Sequence, residues 1–542
     1  MIRKLSRALS LILVATLAFA PLSPAQHATG PRQPLPKPKL VLTLMVDQLR
    51  YDYLMRWKHE FRGGLHRLLT RGANFTNGHL GQYPSVTAIG HATIMTGAYP
   101  ANTGIIGNDW FDRESGKKIE SITDFNEKDF GDEADGHGSS PRRLRVSTLG
   151  DQLKMAQGTE SKAEPPVVIG IALKDRSAIL PAGHMADGAF WFDRQTGNFV
   201  SSTYYFKELP EWVQKHNAKK LQDRYLGKNF MSNASSEPIT KVPNTPGPMY
   251  YSSLWNTPYS SELIVDFAKA AVENYKMGQR GVTDLLAISF SANDSVGHRD
   301  GPDAESVHQM TLHTDRILGE LFDYLDSRIG MDNVLVVLSA DHGVGPVPEV
   351  NKARRMPGGR VVRATIFEAL TKALNERYGE GKWILGTAGS SPYFNYDLMK
   401  ERQINPTEFR AFAAEVLRAQ EPVARVFTRD QLLAGQVPSD EAAQRVVKSF
   451  NTKNSGDLEV LLLPYWIGDG SRATHGTTYS YDTHVPILFM GPGVTPGYYD
   501  GRAMQQDIAL TMATMLEVEP PSGAEGRVLS EMFEGVAKPA AR

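Results

Sequence analysis

Unbroken apolar runs recur along this chain, and several of them stop on a charge. KLVLTLMVDQ reaches Asp47, VVIGIALKDR (167–176) reaches Lys174 and Arg176, and DLLAISFSAND (284–294) reaches Asp294. NVLVVLSADHG (333–343) reaches Asp341 and His342, and LEVLLLPYWI (458–467) and VPILFMGPGV (485–494) continue the series. Runs of this length without polar alternation read as strands buried on both faces. Between several of them the apolar spacing becomes helical, as in Ala304 to Ile329, where Val307, Met310, Ile317, Leu318, Leu321 and Leu325 fall on one face. Buried strands alternating with helices predict an α/β fold, a three-layer α/β/α sandwich around a mostly parallel sheet. Such sheets bind ligands outside the carboxyl ends of their strands. One strand ending in Asp is an ordinary turn opener. Four charged strand ends in one chain point to a site.

Two stretches interrupt the alternation. Residues 177–280 are rich in aromatics, Asn, Ser and Pro, and residues 343–457 hold helical stretches and a Gly-rich patch. Both are expected to be inserted caps that carry substrate contacts. At the N-terminus, Arg3, Lys4 and Arg7 precede the apolar run Ala8–Ala20 and the small-residue site Ser23-Pro24-Ala25. That is the pattern of a secretory signal peptide, residues 1–25. The apolar run is short for a bilayer span, so no stable membrane anchor is expected and the mature chain should be periplasmic or secreted. Residues 26–39, containing PRQPLPKPK, predict an extended Pro-rich linker, and 40–542 the catalytic domain. Lys+Arg is 59 against Asp+Glu 60, so no basic surplus marks a nucleic-acid partner. With no cysteine, disulfides, thiolate metal sites and cysteine nucleophiles are excluded.

The polar motifs carry the chemistry. Asp294 and His298 in DSVGH are four apart and can share one face of a helical turn. Asp341 and His342 are adjacent, and both can reach one site if the strand gives way to a turn at Gly343. His475 lies in the polar loop THGTT. Each motif alone also fits a solvated or capping turn. Together with Asp47 they make three Asp and three His, a thiolate-free set suited to Zn²⁺ or, less well, Mn²⁺. Six ligands divide naturally between two ions, as in two-metal phosphoryl-transfer sites. Thr87 opens the run SVTAIGHATIMTG (85–97). It can be a helix N-cap. It can also be a nucleophile activated by a metal, above a helix N-terminus that favours phosphate. The two roles are compatible. Lys174 and Arg176 are two apart and, on an extended segment, would project to one face.

The ordered set VDQLRYD, SVTAIGH, GIIGNDWF, ALKDRSA, NDSVGHRDGP, SADHG and THGTTYSYDTHVP resembles the alkaline phosphatase superfamily, specifically its PafA-like phosphatases with a threonine nucleophile. The resemblance runs from about residue 40 to the end. It implies an alkaline-phosphatase-like fold and a monomer that hydrolyses small phosphomonoesters with two zinc ions. Asp294, His298 and His475 would hold the metal at the leaving group. Asp47, Asp341 and His342 would hold the metal that activates Thr87. Asn108, Lys174 and Arg176 would bind the phosphoryl oxygens, and hydrolysis would pass through phosphothreonine. A phosphodiesterase or nucleotide pyrophosphatase of the same superfamily is the alternative, although those relatives lack the Lys–Arg pair. A non-catalytic metal-stabilised binding protein is the rival from another class. Ser139 to Arg143 matches the S-x-P-x-R pattern of sulfatases, but Asp47 is followed by Gln48 where paired Asp is usual. His91 and His484 are read as packing residues, and His79, His137 and His184 have no evident partner.

Overall fold

The strand that ends at Asp47, Leu40–Val46 (β1), is buried at every position. The computed structural model describes residues 35–131, 137–157, 164–232, 236–468, 470–533 and 535. The signal segment 1–25 and linker residues 26–34 lie outside the described residues. The further strands of the central sheet are Ala73–Phe75 (β2), Val168–Ala172 (β3), Gly188–Phe192 (β4), Phe199–Val200 (β5), Asp284–Phe290 (β6), Val334–Ser339 (β7), Ile487–Met490 (β8) and Gly497–Tyr499 (β9). They form one nine-stranded sheet in the order β5-β4-β3-β6-β1-β7-β8-β2-β9. Strands β4, β3, β6, β1 and β7 are mutually parallel, and β5 and β8 pair antiparallel to their neighbours.

Both faces of the sheet are covered. Leu40, Leu42, Leu44 and Val46 alternate along β1 and share a core with Ile169 and Ile171 of β3. Against them pack Leu65 and Leu68 of helix Gly64–Arg71 (α1), Phe267 and Ala268 of Tyr259–Tyr275 (α4), and Leu318 and Leu321 of Glu305–Ile329 (α6). On the other face Ala172 meets Ala88, Ile89 and Ala92 of Thr87–Thr96 (α2) and Ala178 and Ile179 of Asp175–Ala182 (α3). Each buried Leu, Ile or Phe contributes about 1.5–3 kcal/mol, so apolar burial on two faces drives the layering.

Register places the site. Leu44 of β1 lies opposite Ile288 of β6 on one side and Leu338 of β7 on the other. The residues following these three strands therefore emerge side by side at one edge. Two expectations are revised. Leu458–Leu462 does not join the main sheet. It pairs antiparallel with Val423–Thr428 in a region that has its own core of Leu370, Trp383, Phe394, Phe409 and Leu458. Its partner lies some thirty residues back, a pairing that local apolar pattern cannot reveal. Residues 177–280 are not one cap: β4, β5 and α4 come from this stretch and belong to the main sheet and its covering layer. Among the described residues no helix is long and apolar enough to cross a membrane.

Candidate metal centre and active site

Asp47 follows β1 and is fully buried. Gln48 then takes a left-handed conformation, φ 64°. A non-glycine residue held there costs on the order of 1 kcal/mol. The turn lets Gln48 serve two carboxylates at once. Its backbone N–H donates to Asp341 Oδ1 at 3.1 Å, and its Nε2 donates to Asp294 Oδ1 at 2.6 Å. Asn293 Nδ2 donates to the Asp47 carbonyl at 2.9 Å.

Helix Ala292–Asp300 (α5) follows β6 and carries Asp294 and His298 one turn apart, as their spacing predicts. His298 Nε2 lies 3.2 Å from Asp294 Oδ1. His475 Nε2 lies 3.2 Å from His298 Nε2 and 3.7 Å from Asp294 Oδ1. Each ring is oriented by a backbone carbonyl. His298 Nδ1 donates to Ala473 O at 2.9 Å, His475 Nδ1 to Ser85 O at 2.7 Å, and His342 Nδ1 to Gly343 O at 2.9 Å. A carbonyl only accepts, so each Nδ1 carries hydrogen and a neutral ring offers its Nε2 lone pair. His342 Nε2 stands 3.4 Å from Asp47 Oδ1 and 3.5 Å from Asp341 Oδ2. Gly343 serves this corner by close approach, since a Cβ there would fall 2.3 Å from the Tyr481 carbonyl oxygen.

Two groups of donors result, Asp294 with His298 and His475, and Asp47 with Asp294 and His342, each with its ligand atoms within 4.8 Å of one another. Asp294 therefore stands in both groups. Asp341, placed by the sequence reading in the second group, lies at its margin. Its Oδ1 is engaged by the backbone N–H groups of Gln48 and His342. Lys174 Nζ bridges the two carboxylates of the second group, Asp47 Oδ2 at 2.6 Å and Asp294 Oδ2 at 2.7 Å.

The donor set fits divalent cations. Asp47 Oδ1, Asp341 Oδ2 and His342 Nε2 are buried and have no hydrogen-bond partner among the described residues. Each unpaired buried acceptor costs about 1–3 kcal/mol, and these three converge. Burial, with Asp294 and Asp341 alongside, pushes the Asp47 carboxyl well above the usual range. Burial acts in the same sense on Asp294, but Lys174 and His298 outweigh it and hold that carboxyl well below. Burial would lower His298, yet Asp294 beside it raises it to about 9. Burial and the adjacent His342 and His298 push His475 well down.

Thr87 is the first residue of α2 and is 2 % exposed. It makes no side-chain cap; Val86 occupies the N-cap position. The cap comes from a distance, with Asn108 Oδ1 accepting from Ala88 N–H at 2.9 Å. That commits the Asn108 oxygen and leaves its amide hydrogens as donors. Gly90 and His91, one turn on from Thr87, share its helical face. A Cβ on Gly90 would fall 2.5 Å from Asp341 Cα, so this face lies directly on the Asp341 backbone. His91 Nδ1 bonds Thr87 O at 2.9 Å and stands 3.3 Å from Asp341 Oδ2, while Nε2 meets Ser289 Oγ at 2.8 Å.

Lys174 and Arg176 are not on an extended segment. Lys174 precedes α3 and Arg176 is that helix's second residue. Lys174 joins the donor cluster. Arg176 does not pair with it: its guanidinium faces Asp175 at 3.8 Å, and its Nε is buried without a partner among the described residues. The pair lines a cavity of about 390 Å³ with Trp191 and Trp255. Asn108, His298 and His475 line a larger one of about 760 Å³.

Sequence reasoning missed Gln48 and Asn293 and undervalued His91. Their only local signal is adjacency to donors. Ser139, the serine of the S-x-P-x-R stretch, is structural: its Oγ donates to Asp129 Oδ2 at 2.9 Å and its backbone N–H to Asp129 Oδ1 at 2.9 Å. His484 stacks on Tyr51 and His79, and His184 pairs with Asp151 at 3.1 Å.

Residues 41–451 match the family model described as Type I phosphodiesterase / nucleotide pyrophosphatase. A fold with this sheet and this donor cluster at its edge defines the class: the chain belongs to the alkaline phosphatase superfamily. It is 34% identical over 526 residues to alkaline phosphatase PafA of Elizabethkingia meningoseptica, covering 92% of this chain and 95% of that one. It is also 34% identical to alkaline phosphatase PhoV of Synechococcus elongatus, covering 93% and 94%. The crystal structure of wild-type PafA superposes with a TM-score of 0.85 at 33% identity, over 92% of this chain and 100% of that one. Within the superfamily this chain is a PafA-like alkaline phosphatase, and hence a hydrolase.

Proposed function

We propose that the protein is an exported two-metal phosphate monoesterase that works through phosphothreonine at Thr87. The observation that carries this reading is the joint placement of the donors. Two overlapping Asp/His groups share Asp294, and the helix opened by Thr87 lies on Asp341 beside them. A pair of divalent cations, zinc by donor chemistry, would lower the pKa of the Thr87 hydroxyl and stabilise a departing alkoxide. Asp294, His298 and His475 would hold one, and Asp47, His342 and Asp341, with Asp294 between them, the other. Thr87 Oγ1 attacks phosphorus, the bond to the alcohol oxygen breaks, and water then cleaves the phosphothreonine to phosphate and free Thr87. The Asn108 amide, the Lys174 ammonium and the Arg176 guanidinium would bind phosphoryl oxygens, whose double negative charge in a monoester suits two side-chain cations. The buried, unpaired Arg176 Nε is a donor in need of such an acceptor. Export rests on the N-terminal charge and apolar pattern, and a monomer is proposed.

The family model's description favours a second reading, a phosphodiesterase. Turnover of an aryl phosphate monoester and its methyl diester by metal-loaded protein, with metal content measured on the same sample, separates them. A monoester preference that collapses in Lys174→Ala supports the proposal. Equal or greater diester turnover overturns it.

A further inference from the structure

The larger cavity, about 760 Å³, exceeds what a phosphoryl group needs and lies in the range that takes a whole organic ligand. Asn108, His298 and His475 line it from the donor cluster, and Ser391 and Glu459 line it from the region with its own core. Glu459 lies on Leu458–Leu462 and is 9 % exposed. Ser391 Oγ donates to its Oε2 at 2.7 Å. Burial pushes this carboxyl up to about 7 against that hydrogen bond, and no cationic side chain pairs with it among the described residues. A carboxylate here, with one hydroxyl for company, is costly unless something entering the cavity donates to it.

We propose that Glu459, oriented by Ser391, is the contact for the alcohol portion of the substrate. The preferred substrate class is then a phosphomonoester whose leaving alcohol carries a hydroxyl or ammonium donor a few bonds from the ester oxygen. This rests on the monoesterase reading above. The phosphoryl group occupies the donor cluster, the alcohol extends across the cavity, and its donor hydrogen-bonds to the free oxygen of Glu459. The remaining walls suit a compact carbon skeleton, since Ile106, Phe111, Leu385 and Val446 supply apolar surface.

The test compares kcat/KM within matched pairs on the metal-loaded protein. 2-Aminoethyl phosphate is set against propyl phosphate, and glycerol 1-phosphate against butyl phosphate. The expected result is a preference for the donor-bearing ester of roughly tenfold or more in at least one pair, the size of one charge-assisted hydrogen bond. The pair with the larger ratio tells ammonium from hydroxyl. Glu459→Gln should bring the ammonium ratio within about threefold of unity, and Ser391→Ala, which keeps the carboxylate but loses its orientation, should lower it part-way. Taking ratios cancels any general change in activity, and Ser391→Ala stands in should Glu459→Gln fold poorly. Donor-bearing esters turned over no faster than their alkyl partners by the wild type, or ratios unmoved by both variants, overturn the subsite while leaving the monoesterase reading intact. No turnover of any monoester overturns both.

Discussion

The two walls of the large cavity are built on different plans. On the sheet side Asp47, Asp294, Asp341 and His342 sit within a few residues of a parallel strand end, and pairing of β1 with β6 and β7 sets their spacing. Asp294 and Asp341 are fixed a second time by Gln48, and the three histidines by backbone carbonyls. Two carboxylates there, Asp47 and Asp294, share one lysine. On the other wall Ser391 and Glu459 belong to antiparallel strand pairs of a region with its own core, and the Glu459 carboxylate has a hydroxyl for company. Charge held rigidly on one wall and sparse polarity on the other suit different tasks: bond-breaking at the sheet edge, and choice of alcohol opposite.

That division is broken most severely if Thr87 is dispensable. Thr87→Ala should lose more than roughly 10⁴-fold in monoester turnover with bound metal unchanged by mass spectrometry. Turnover within tenfold of wild type would take the chemistry away from the sheet wall.

Next in size is the asymmetry within that wall. His475 arrives on a loop and serves one donor group, whereas Asp294 stands in both. His475→Ala should therefore lower metal content by about one ion per chain and Asp294→Asn by more. Equal losses from the two variants would show that Asp294 is not shared. Smaller again is Gln48→Ala, which removes a donor to Asp294 while keeping the backbone N–H to Asp341 and every metal ligand's own atoms. It should weaken metal affinity about 10- to 100-fold, measured by competition with a chelator. An unchanged affinity would mean that strand register alone positions the carboxylates.

The same contrast explains what was legible in the sequence. Asp47, Asp294, Asp341 and His342 announce themselves because a parallel strand buried on both faces has no other reason to end repeatedly in charge. The i, i+4 spacing of Asp294 and His298 is likewise a local fact that the helix Ala292–Asp300 preserves. Other features were hidden by distance. Asn108 caps a helix twenty residues earlier. Leu458–Leu462 looks like another core strand until its pairing with Val423–Thr428 is seen. Lys174 and Arg176 would share a face in an extended chain; the helix beginning at Asp175 separates them. Gln48 could not be found from residue type, since its role depends on a backbone angle.

The smallest expected effect tests the carboxylate of the second wall as a group without a cation. Glu459 has its folded-state value raised from 4.5 to about 7 by burial, with Ser391 opposing. A raised acid binds its proton more tightly in the folded chain. Its contribution to stability is whole below the unfolded value near 4.5, and it is lost as pH climbs through about 7. The full difference is on the order of 3 kcal/mol, enough to move the melting temperature by a few degrees in a chain of this size. Glu459→Gln cannot titrate. Relative to wild type it should therefore gain stability between pH 5 and pH 8.5, read as the difference in Tm at the two pH values. The acids of the sheet wall titrate in both proteins and cancel in that difference. Parallel pH profiles for the two proteins would mean that the Glu459 carboxylate ionises without penalty, and the contrast between a paired and an unpaired wall would fail at its second term.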